Sequence, residues 1–408
     1  MPPLPQRSLD DWLTAYLKYT ESSESPVSFH LWAGVSAIGA ALQRKVYIKW
    51  GHSTIYPNQY IILVGPSGQS RKGEAINISR GMVESLKIPM IGEDNSQEAI
   101  IVEMKNAVTS FTDKGNNRLT FQCAVSCFVE ELSVLCGQQN TQFLSYLTNW
   151  YDSRDHWKRT TKHQGTDEIL GMCYNMLAAT APDWIPYILP REAIGGGFTS
   201  RCLFIVESGK SKIVANPNAI QQHDGLKKKL MRDLEAVHAL SGAMVLDAKT
   251  LAKYIEWYEN QEYDIRRGCP ALRDQLFQGY MARRATHFFK TMMVMSASRG
   301  SDMTIIERDF NRARSMLDQA EKKMPLAFAG IGKARYAEET QQILDFISVH
   351  GKVTKADILT QFWRSVDDYS LDNIIKVLAG MKVVRVVIAP GQTHYEYIKK
   401  ASPEAPLN

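Results

Sequence analysis

The chain has 408 residues, of which 44% are hydrophobic and 22% charged, and 48 basic against 43 acidic residues give a net charge of +5. A chain this apolar and this weakly charged can bury enough surface to fold, which excludes disorder as its main state. Its length suits two or three domains. No apolar stretch approaches the roughly 18 residues that a membrane span requires, so we expect no membrane partner.

The N-terminus and the cysteines indicate a compartment. The first residues lack a basic start followed by an apolar run, so no signal peptide is expected. None of the six cysteines belongs to a Cys-x-x-Cys pair, which favours small buried side chains in a reducing environment. These features predict a cytoplasmic protein. The mild basic excess permits nucleic-acid binding without requiring it.

Residues 1–55 are predicted to be an N-terminal helical segment, because apolar residues recur at helical spacing from Leu9 to Leu17 and from Phe29 to Leu42. A loop over 51–58 leads into the apolar run Tyr60–Val64, which is typical of a strand buried on both faces. Further apolar runs then alternate with amphipathic helices. These runs cover 124–129, 172–179 and 202–206. The alternation predicts an α/β core over 56–222.

The rest of the chain is predicted to be helical and then mixed. Residues 223–334 show helical periodicity almost throughout and are expected to form a helical lid domain. Residues 335–400 have the order of three helices and a hairpin, which is typical of a winged helix, with Ser370 as the expected N-cap of the third helix. The last residues, 401–408, are expected to be a loose tail.

A glycine-rich segment follows the Tyr60–Val64 strand and opens a helix. Its residues are Gly65, Pro66, Ser67, Gly68, Gln69, Ser70, Arg71, Lys72 and Gly73, which we call the glycine loop. Backbone amides of such a turn and of the helix start bind phosphate, and a lysine there reaches the terminal phosphates. The loop departs from the usual Walker A pattern, because Lys72 lies one residue late and Gly73 replaces the Ser or Thr that ligates Mg²⁺.

Three interpretations stay open for the glycine loop. Either Lys72 is the functional lysine of a loop that is one residue longer, or Arg71 occupies the lysine position. Lys72 is favoured because an ammonium is the compact point charge that such loops use. The segment could also be a Gly-Pro turn before an ordinary helix.

Paired carboxylates follow the next buried strand. The run 124–129 ends in Glu130 and Glu131, the arrangement of a Walker B motif, in which one carboxylate serves Mg²⁺ and the other orients the attacking water. Glu130 is predicted to take the metal role and Glu131 the catalytic role. The alternative is that both merely favour the start of the following helix.

Two further polar residues lie where this architecture needs them. Thr180 ends the strand 172–179 and is predicted to project beside the phosphates as a sensor. The turn Gly195–Gly197 and the residues after it lead to Arg201, which we expect at a surface from which it reaches a neighbouring subunit's γ-phosphate. An intramolecular salt bridge is the alternative for Arg201, and Arg191 is the spare candidate.

Together these segments resemble the P-loop ATPase core of phage and plasmid replication proteins, an AAA+ group related to superfamily 3 helicases. The resemblance spans about 56–207 and extends loosely to 330, and it is carried by YPNQYIILVGPSGQSRKG, VEELSVLCG, WKRTTKHQG, AATAPDW and GGGFTSR. It implies a P-loop NTPase fold with ATP and Mg²⁺ bound between the subunits of a homo-oligomeric ring, usually a hexamer. Lys72, Glu130 and Glu131 would then lie on one side of the nucleotide and Arg201 on the other.

A basic hairpin is predicted between the paired carboxylates and the Thr180 strand. In ring helicases an insertion at this place resembles a hairpin that projects into the central pore. Lys158, Arg159, Lys162 and His163 would then meet DNA phosphates, and Trp157 could stack on bases or anchor the hairpin. The alternative is a solvated surface hairpin with Trp157 in the core.

Other charged groups are less specific. Arg283 and Arg284 are candidates for a second sensor in the helical lid, and a salt bridge beside the core is an equal alternative. The third helix of the predicted winged helix begins beside acidic residues at 367, 368 and 372, which disfavours phosphate contacts. Protein contact is therefore at least as good an interpretation of that domain as DNA recognition.

The sequence therefore predicts a ring-forming, ATP-dependent DNA helicase or translocase of a phage or mobile-element replication system, acting on single-stranded or forked DNA with replication proteins. One alternative is a helicase loader or initiator ATPase that remodels DNA or a partner without unwinding. The other is a non-catalytic winged-helix module with a relic P-loop.

Overall fold

The computed structural model describes residues 6–92, 94–113, 118–161, 165–190, 193–217, 224–329, 337–363, 365–389 and 392–398. The chain divides into two compact units, one reaching Gly330 and one beginning at Ile331. The predicted helical segment, core and lid thus belong to one unit, and the predicted C-terminal domain is the other.

The first unit alternates helices and strands along the chain. They are α1 Trp12–Tyr19, α2 Val27–Leu42, β1 Val46–Trp50, β2 Ser53–Ile55, β3 Tyr60–Val64, α3 Lys72–Glu84, β4 Met90–Ile91, α4 Gln97–Asn106, β5 Val108–Asp113, β6 Arg118–Val129, α5 Leu132–Cys136, α6 Thr141–Tyr151, β7 His156–Thr161, β8 Gly165–Leu170, β9 Met172–Thr180, α7 Ile185–Ile188 and β10 Cys202–Val206. Mostly helical structure follows. It consists of α8 Asp224–His238, β11 Gly242–Ala243, β12 Val245–Leu246, α9 Ala248–Arg266, α10 Gln278–Arg299, β13 Thr304–Ile305 and α11 Glu307–Lys323.

A parallel sheet with the strand order β10-β3-β9-β6-β4 forms the centre of this unit, and β5 extends it by antiparallel pairing with β6. Every residue of β3, β9 and β10 is buried, as expected for strands covered on both faces. The chain runs outward from β3 to β4 and later crosses over β3 to reach β10. Connections therefore leave β3 and β9 in opposite directions, which creates a crevice at their carboxyl ends.

The N-terminal segment is fixed to the later helices by buried polar contacts. The Asp233 carboxylate of α8 accepts hydrogen bonds from the backbone amides of Ser8 and Leu9, at 2.8 and 3.0 Å. On α10, the Lys290 ammonium donates to the carbonyl oxygens of Tyr56 and Asn58, at 2.9 and 2.8 Å. These contacts explain why the predicted segment, core and lid form a single unit, since each part supplies polar partners that another part needs.

The mixed α/β class and the main elements are confirmed, and two details differ. The stretch predicted as a loop over 51–58 contains β2, which pairs with β1 as a hairpin. These strands were missed because Lys49 and Gly51 interrupt the apolar pattern. Strand β6 begins six residues earlier than the apolar run at 124, because pairing with β5 extends its polar end.

The second unit contains α12 Ala337–His350, β14 Lys352–Thr354, α13 Lys355–Phe362, α14 Asp368–Gly380, β15 Val384–Ala389 and β16 Gln392–Tyr397. Its strands form a sheet in the order β14-β16-β15. The predicted helices and hairpin are present, and the turn at 390–391 lies outside the described residues. The N-cap prediction was wrong, because Asp367 caps α14 by accepting a 2.7 Å hydrogen bond from the amide of Ser370.

The cysteines divide into two groups. Cys123, Cys127, Cys136, Cys173 and Cys202 are buried, and Cys269 is exposed. Burial raises the pKa of the Cys173 thiol to about 11 and that of Cys123 to about 12. Among the described helices, none is long and apolar enough to cross a membrane.

Candidate functional site

The glycine loop lies at the crevice between the carboxyl ends of β3 and β9. It begins directly after Val64, the last residue of β3, and ends at Gly73 in the first turn of α3. The amide of Gly65 donates a 3.2 Å hydrogen bond to the carbonyl oxygen of Thr180, which ties the start of the loop to the end of β9. Open α/β sheets bind ligands at this kind of switch point.

Lys72 is buried inside the glycine loop. Its Nζ donates to the carbonyl oxygens of Gly65 and Pro66, at 2.6 and 3.3 Å. Burial lowers the pKa of this ammonium, and the nearby Glu131 carboxylate counteracts the effect. An ammonium that faces the inside of the loop, and whose charge a nearby carboxylate stabilises, is well placed to bind phosphate oxygens.

Arg71 points the other way. It adopts a left-handed backbone with φ of 48° just before α3, and its exposed side chain forms an ion pair with Glu24 at 3.3 Å. Lys72, rather than Arg71, therefore lies within the loop.

Glu130 and Glu131 follow β6, two strands away from β3 in the sheet. That separation is about 10 Å between strand axes, and α3 packs against the sheet so that the Glu130 side chain contacts it. Its Oε1 accepts a 2.7 Å hydrogen bond from Nδ2 of Asn77. A Cβ atom at Gly73 would overlap the Oε2 atom of Glu130, so this carboxylate fills the space above the start of α3.

These residues fit a metal ion that is shared with a ligand. Among the described side chains, no group of three or more His, Cys, Asp or Glu could hold a metal. Mg²⁺ bound with a nucleotide needs only one or two carboxylates, because phosphates and waters complete its shell. Glu130, at the edge of the glycine loop, offers such a carboxylate.

An open cleft of about 560 Å³ adjoins the glycine loop. It is lined by Ser22, Glu24, Arg71, Gly73, Glu74, Asn77, Glu130, Val214 and Pro217. The wall facing the loop thus comes from the α1–α2 connection and from the segment after β10. Because each wall comes from a distant part of the sequence, spacing alone could not identify it.

Glu24 joins three segments at this cleft. Its carboxylate pairs with Lys210 at 2.7 Å and with Arg71, and it accepts a 3.1 Å hydrogen bond from the amide of Val214. Chiefly through the Lys210 and Val214 hydrogen bonds, the pKa of Glu24 falls to about 2. Sequence analysis missed Glu24, since no motif surrounds it.

Thr180 ends β9 beside the loop, as predicted, and its side chain is fully buried. The Oγ1 atom donates a 3.3 Å hydrogen bond to the carbonyl oxygen of Ala181. The hydroxyl therefore lies at the carboxyl end of β9 and is directed toward the backbone of the next residue.

Arg201 lies at the opposite end of the sheet, immediately before β10. Its guanidinium is buried and forms hydrogen bonds with the Asp152 carboxylate and with the carbonyl oxygen of Gly197, the latter at 2.7 Å. Within one chain, Arg201 thus makes the intramolecular salt bridge that sequence analysis held as the alternative to surface presentation. Arg191 lies outside the described residues.

The two lid arginines differ in their surroundings. Arg284 is buried and pairs with Glu321 and Asp318, each at 2.7 Å. Arg283 is about one-third exposed and lies 3.5 Å from the Asp152 carboxylate that also holds Arg201. Arg284 therefore connects α10 to α11, whereas Arg283 lies beside Arg201.

Strands β7 and β8 pair antiparallel, as the predicted hairpin requires, but the described basic groups on them are offset by acids. Lys158 pairs with Glu168 at 3.2 Å, and Arg159 pairs with Glu98 at 3.4 Å. Trp157 is buried against Tyr146 and Trp150, so it anchors the hairpin rather than facing solvent. Lys162 and His163 lie outside the described residues.

The chain matches no protein-family model and no curated protein.

Proposed function

We propose that this chain is a Mg²⁺-dependent ATPase with a P-loop NTPase core of the helicase-like AAA+ kind. It forms a ring, which we expect to be hexameric, and couples hydrolysis to movement on single-stranded or forked DNA. One observation carries the nucleotide assignment. Lys72 is buried inside a glycine loop at the switch point of a parallel sheet, where the negative charge of Glu131 favours its charged form. This is where an α/β sheet binds phosphates.

Each residue of the site has a separate role in ATP hydrolysis. Amides of the glycine loop and Lys72 bind the phosphates, Glu130 holds the metal, and Glu131 orients the attacking water. Mg²⁺ bound with ATP would be held by Glu130 and would offset the charge of the phosphates. Thr180 contributes a polar group at the neighbouring strand end.

Arg201 is proposed to act on the ATP of a neighbouring copy. In one chain Asp152 holds its guanidinium at the sheet end remote from the glycine loop. A cation there is remote from its own loop, so its role in the proposal is at the site of another subunit. Release of Arg201 from Asp152, which would leave that carboxylate to Arg283, would accompany ring assembly.

The experiment is ATP hydrolysis with and without single-stranded DNA, for the wild type, Lys72→Ala and Glu131→Gln, together with strand displacement on a forked duplex. We expect DNA-stimulated hydrolysis that both variants abolish. Lys18→Ala, which removes an exposed lysine of α1, is the matched control and should leave hydrolysis unchanged. Hydrolysis that survives Lys72→Ala would overturn the nucleotide assignment.

A second candidate, a helicase loader or initiator ATPase, is favoured by the charge pairing on the hairpin. Lys158 and Arg159 are offset by Glu168 and Glu98, which leaves less net positive charge for gripping a DNA backbone. DNA-stimulated hydrolysis without strand displacement would select this candidate.

We also propose that the second unit is a winged helix used mainly for protein contact. Lys355 pairs with both Asp368 and Asp372, at 2.8 Å each, around the start of α14. Those contacts neutralise Lys355 at the acidic helix start, so this end of α14 is poorly suited to a phosphate backbone.

A further inference from the structure

Glycine needs an explanation at position 73. Gly73 is the second residue of α3, and its backbone is not among the positive-φ conformations that favour glycine. Glycine is also a poor helix former. The space beside its Cα explains the residue: a Cβ atom there would overlap Oε2 of Glu130 and lie 3.0 Å from its Cδ.

Asn77 holds the Glu130 carboxylate in that space. It lies one helical turn after Gly73 on the same face of α3, and its Nδ2 donates 2.7 Å to Oε1 of Glu130. With Oε1 engaged by Asn77, the other oxygen, Oε2, lies over Gly73 at the edge of the cleft. The carboxylate therefore occupies the place where a Ser or Thr side chain would otherwise begin.

We infer that Glu130 is a direct Mg²⁺ ligand in place of the hydroxyl that Gly73 lacks, and that Asn77 is its positioning residue. The inference rests on the proposed nucleotide site. A carboxylate oxygen is a ligand that Mg²⁺ combines with phosphate oxygens. Unlike a hydroxyl, it carries a full charge, so it attracts the metal and repels a nucleotide that arrives without one.

The test compares nucleotide affinity with and without metal. Binding of the non-hydrolysable β,γ-imido analogue of ATP to the full-length chain is measured by calorimetry in EDTA and in Mg²⁺. The ratio of the two affinities is the magnesium enhancement. Binding of Mn²⁺ in the presence of the same analogue, measured by electron paramagnetic resonance, gives a second readout.

Glu130→Gln is expected to reduce the magnesium enhancement at least about tenfold and to tighten binding in EDTA, because the repelling charge is gone. Asn77→Ala should reduce the enhancement by a smaller factor while leaving binding in EDTA unchanged. Glu84→Gln removes a carboxylate at the far end of α3 and should change neither affinity.

Gly73→Ala tests the space itself. Alanine supplies no ligand but displaces the Glu130 carboxylate, so the enhancement should fall although the helix gains a better residue. Gly81→Ala is the matched control on α3, since a Cβ atom there meets no atom within 4 Å. An enhancement unaffected by both Glu130→Gln and Gly73→Ala would overturn the inference alone. Failure of the wild type to bind the analogue in either condition would overturn the proposed function, and the inference with it.

Discussion

The guanidinium of Arg201 makes two hydrogen bonds to the carboxylate of Asp152, at 3.1 Å from Nε and 2.5 Å from Nη2. Arg201 is buried, so removal of the carboxylate leaves a cation without its main partner. We expect Asp152→Ala to lower the free energy of unfolding by about 2 kcal/mol. Urea denaturation measures the change.

The control for this pair is Glu84→Ala, which removes the partner of Arg80 from a more exposed ion pair. Its effect should stay below about 0.5 kcal/mol. Equal effects of the two substitutions would show that the Arg201 pair contributes no more than a surface pair.

Lys72→Met should reduce ATP hydrolysis at least about 100-fold, because it removes one preorganised cation from the phosphate site. Methionine preserves the length and the apolar stem of the buried side chain, so the melting temperature should change little. Steady-state hydrolysis and calorimetric melting are measured together. A loss of activity that matches a loss of folded protein would contradict the assigned role.

Arg284→Ala should destabilise the protein by about 3 kcal/mol, because Glu321 would stay buried without a cation. Arg283→Ala should cost less than about 1 kcal/mol, since Arg283 is partly exposed and its ion pair is longer. Urea denaturation of Arg283→Ala and Arg284→Ala under one condition shows which of the two arginines contributes more to stability. The reverse order of effects would contradict this distinction.

Lys290 should make stability depend on pH. Burial lowers the pKa of its ammonium to about 7, from an ordinary 10.5. Between these values the unfolded chain keeps a proton that the folded chain gives up, so the free energy of unfolding rises with pH from about 7 to 10.5. Below about pH 7 both states are charged and this group adds no slope.

Urea denaturation at pH 6.5, 8 and 9.5 checks this dependence by comparing the wild type with Lys290→Met. The variant should lose the part of the rise that Lys290 causes. Lys228→Met, an exposed lysine of α8, should keep the wild-type slope. Parallel slopes for the wild type and Lys290→Met would show that Lys290 does not titrate in this range.

If the hairpin meets DNA, Lys158→Ala should weaken binding of a labelled single-stranded oligonucleotide and lower the salt slope by about 1. Glu168→Gln should strengthen binding, because it releases Lys158 from its ion pair. Fluorescence anisotropy at several salt concentrations measures both. Lys228→Ala should leave binding unchanged. If it weakens binding as much as Lys158→Ala does, the hairpin is not a specific DNA-binding element.

Local patterns predicted the framework well, since burial on both faces leaves a continuous apolar run. Strands β3 and β10 lie where their runs predicted, and α3 follows the glycine-rich segment as expected. The position of Lys72 could be predicted because the glycine loop joins β3 to α3.

The partners of the charged groups could not be predicted in the same way. Glu24 meets Arg71 across 47 residues of sequence, and Asp152 meets Arg201 across 49. Such pairs depend on how distant segments pack, and no spacing rule records that. The burial of Trp157 could not be predicted for the same reason, because it depends on neighbours on α6.

The distribution of the cysteines allows opening of the fold to be followed by thiol labelling. A thiol-specific dye should react at Cys269 in the folded protein, because the other five thiols are buried and the raised pKa of Cys123 and Cys173 keeps them protonated at neutral pH. Delayed labelling of the five would then report opening of the central sheet, where Cys123, Cys127, Cys173 and Cys202 lie. The native sequence thus carries a reporter for opening of the core without engineered residues.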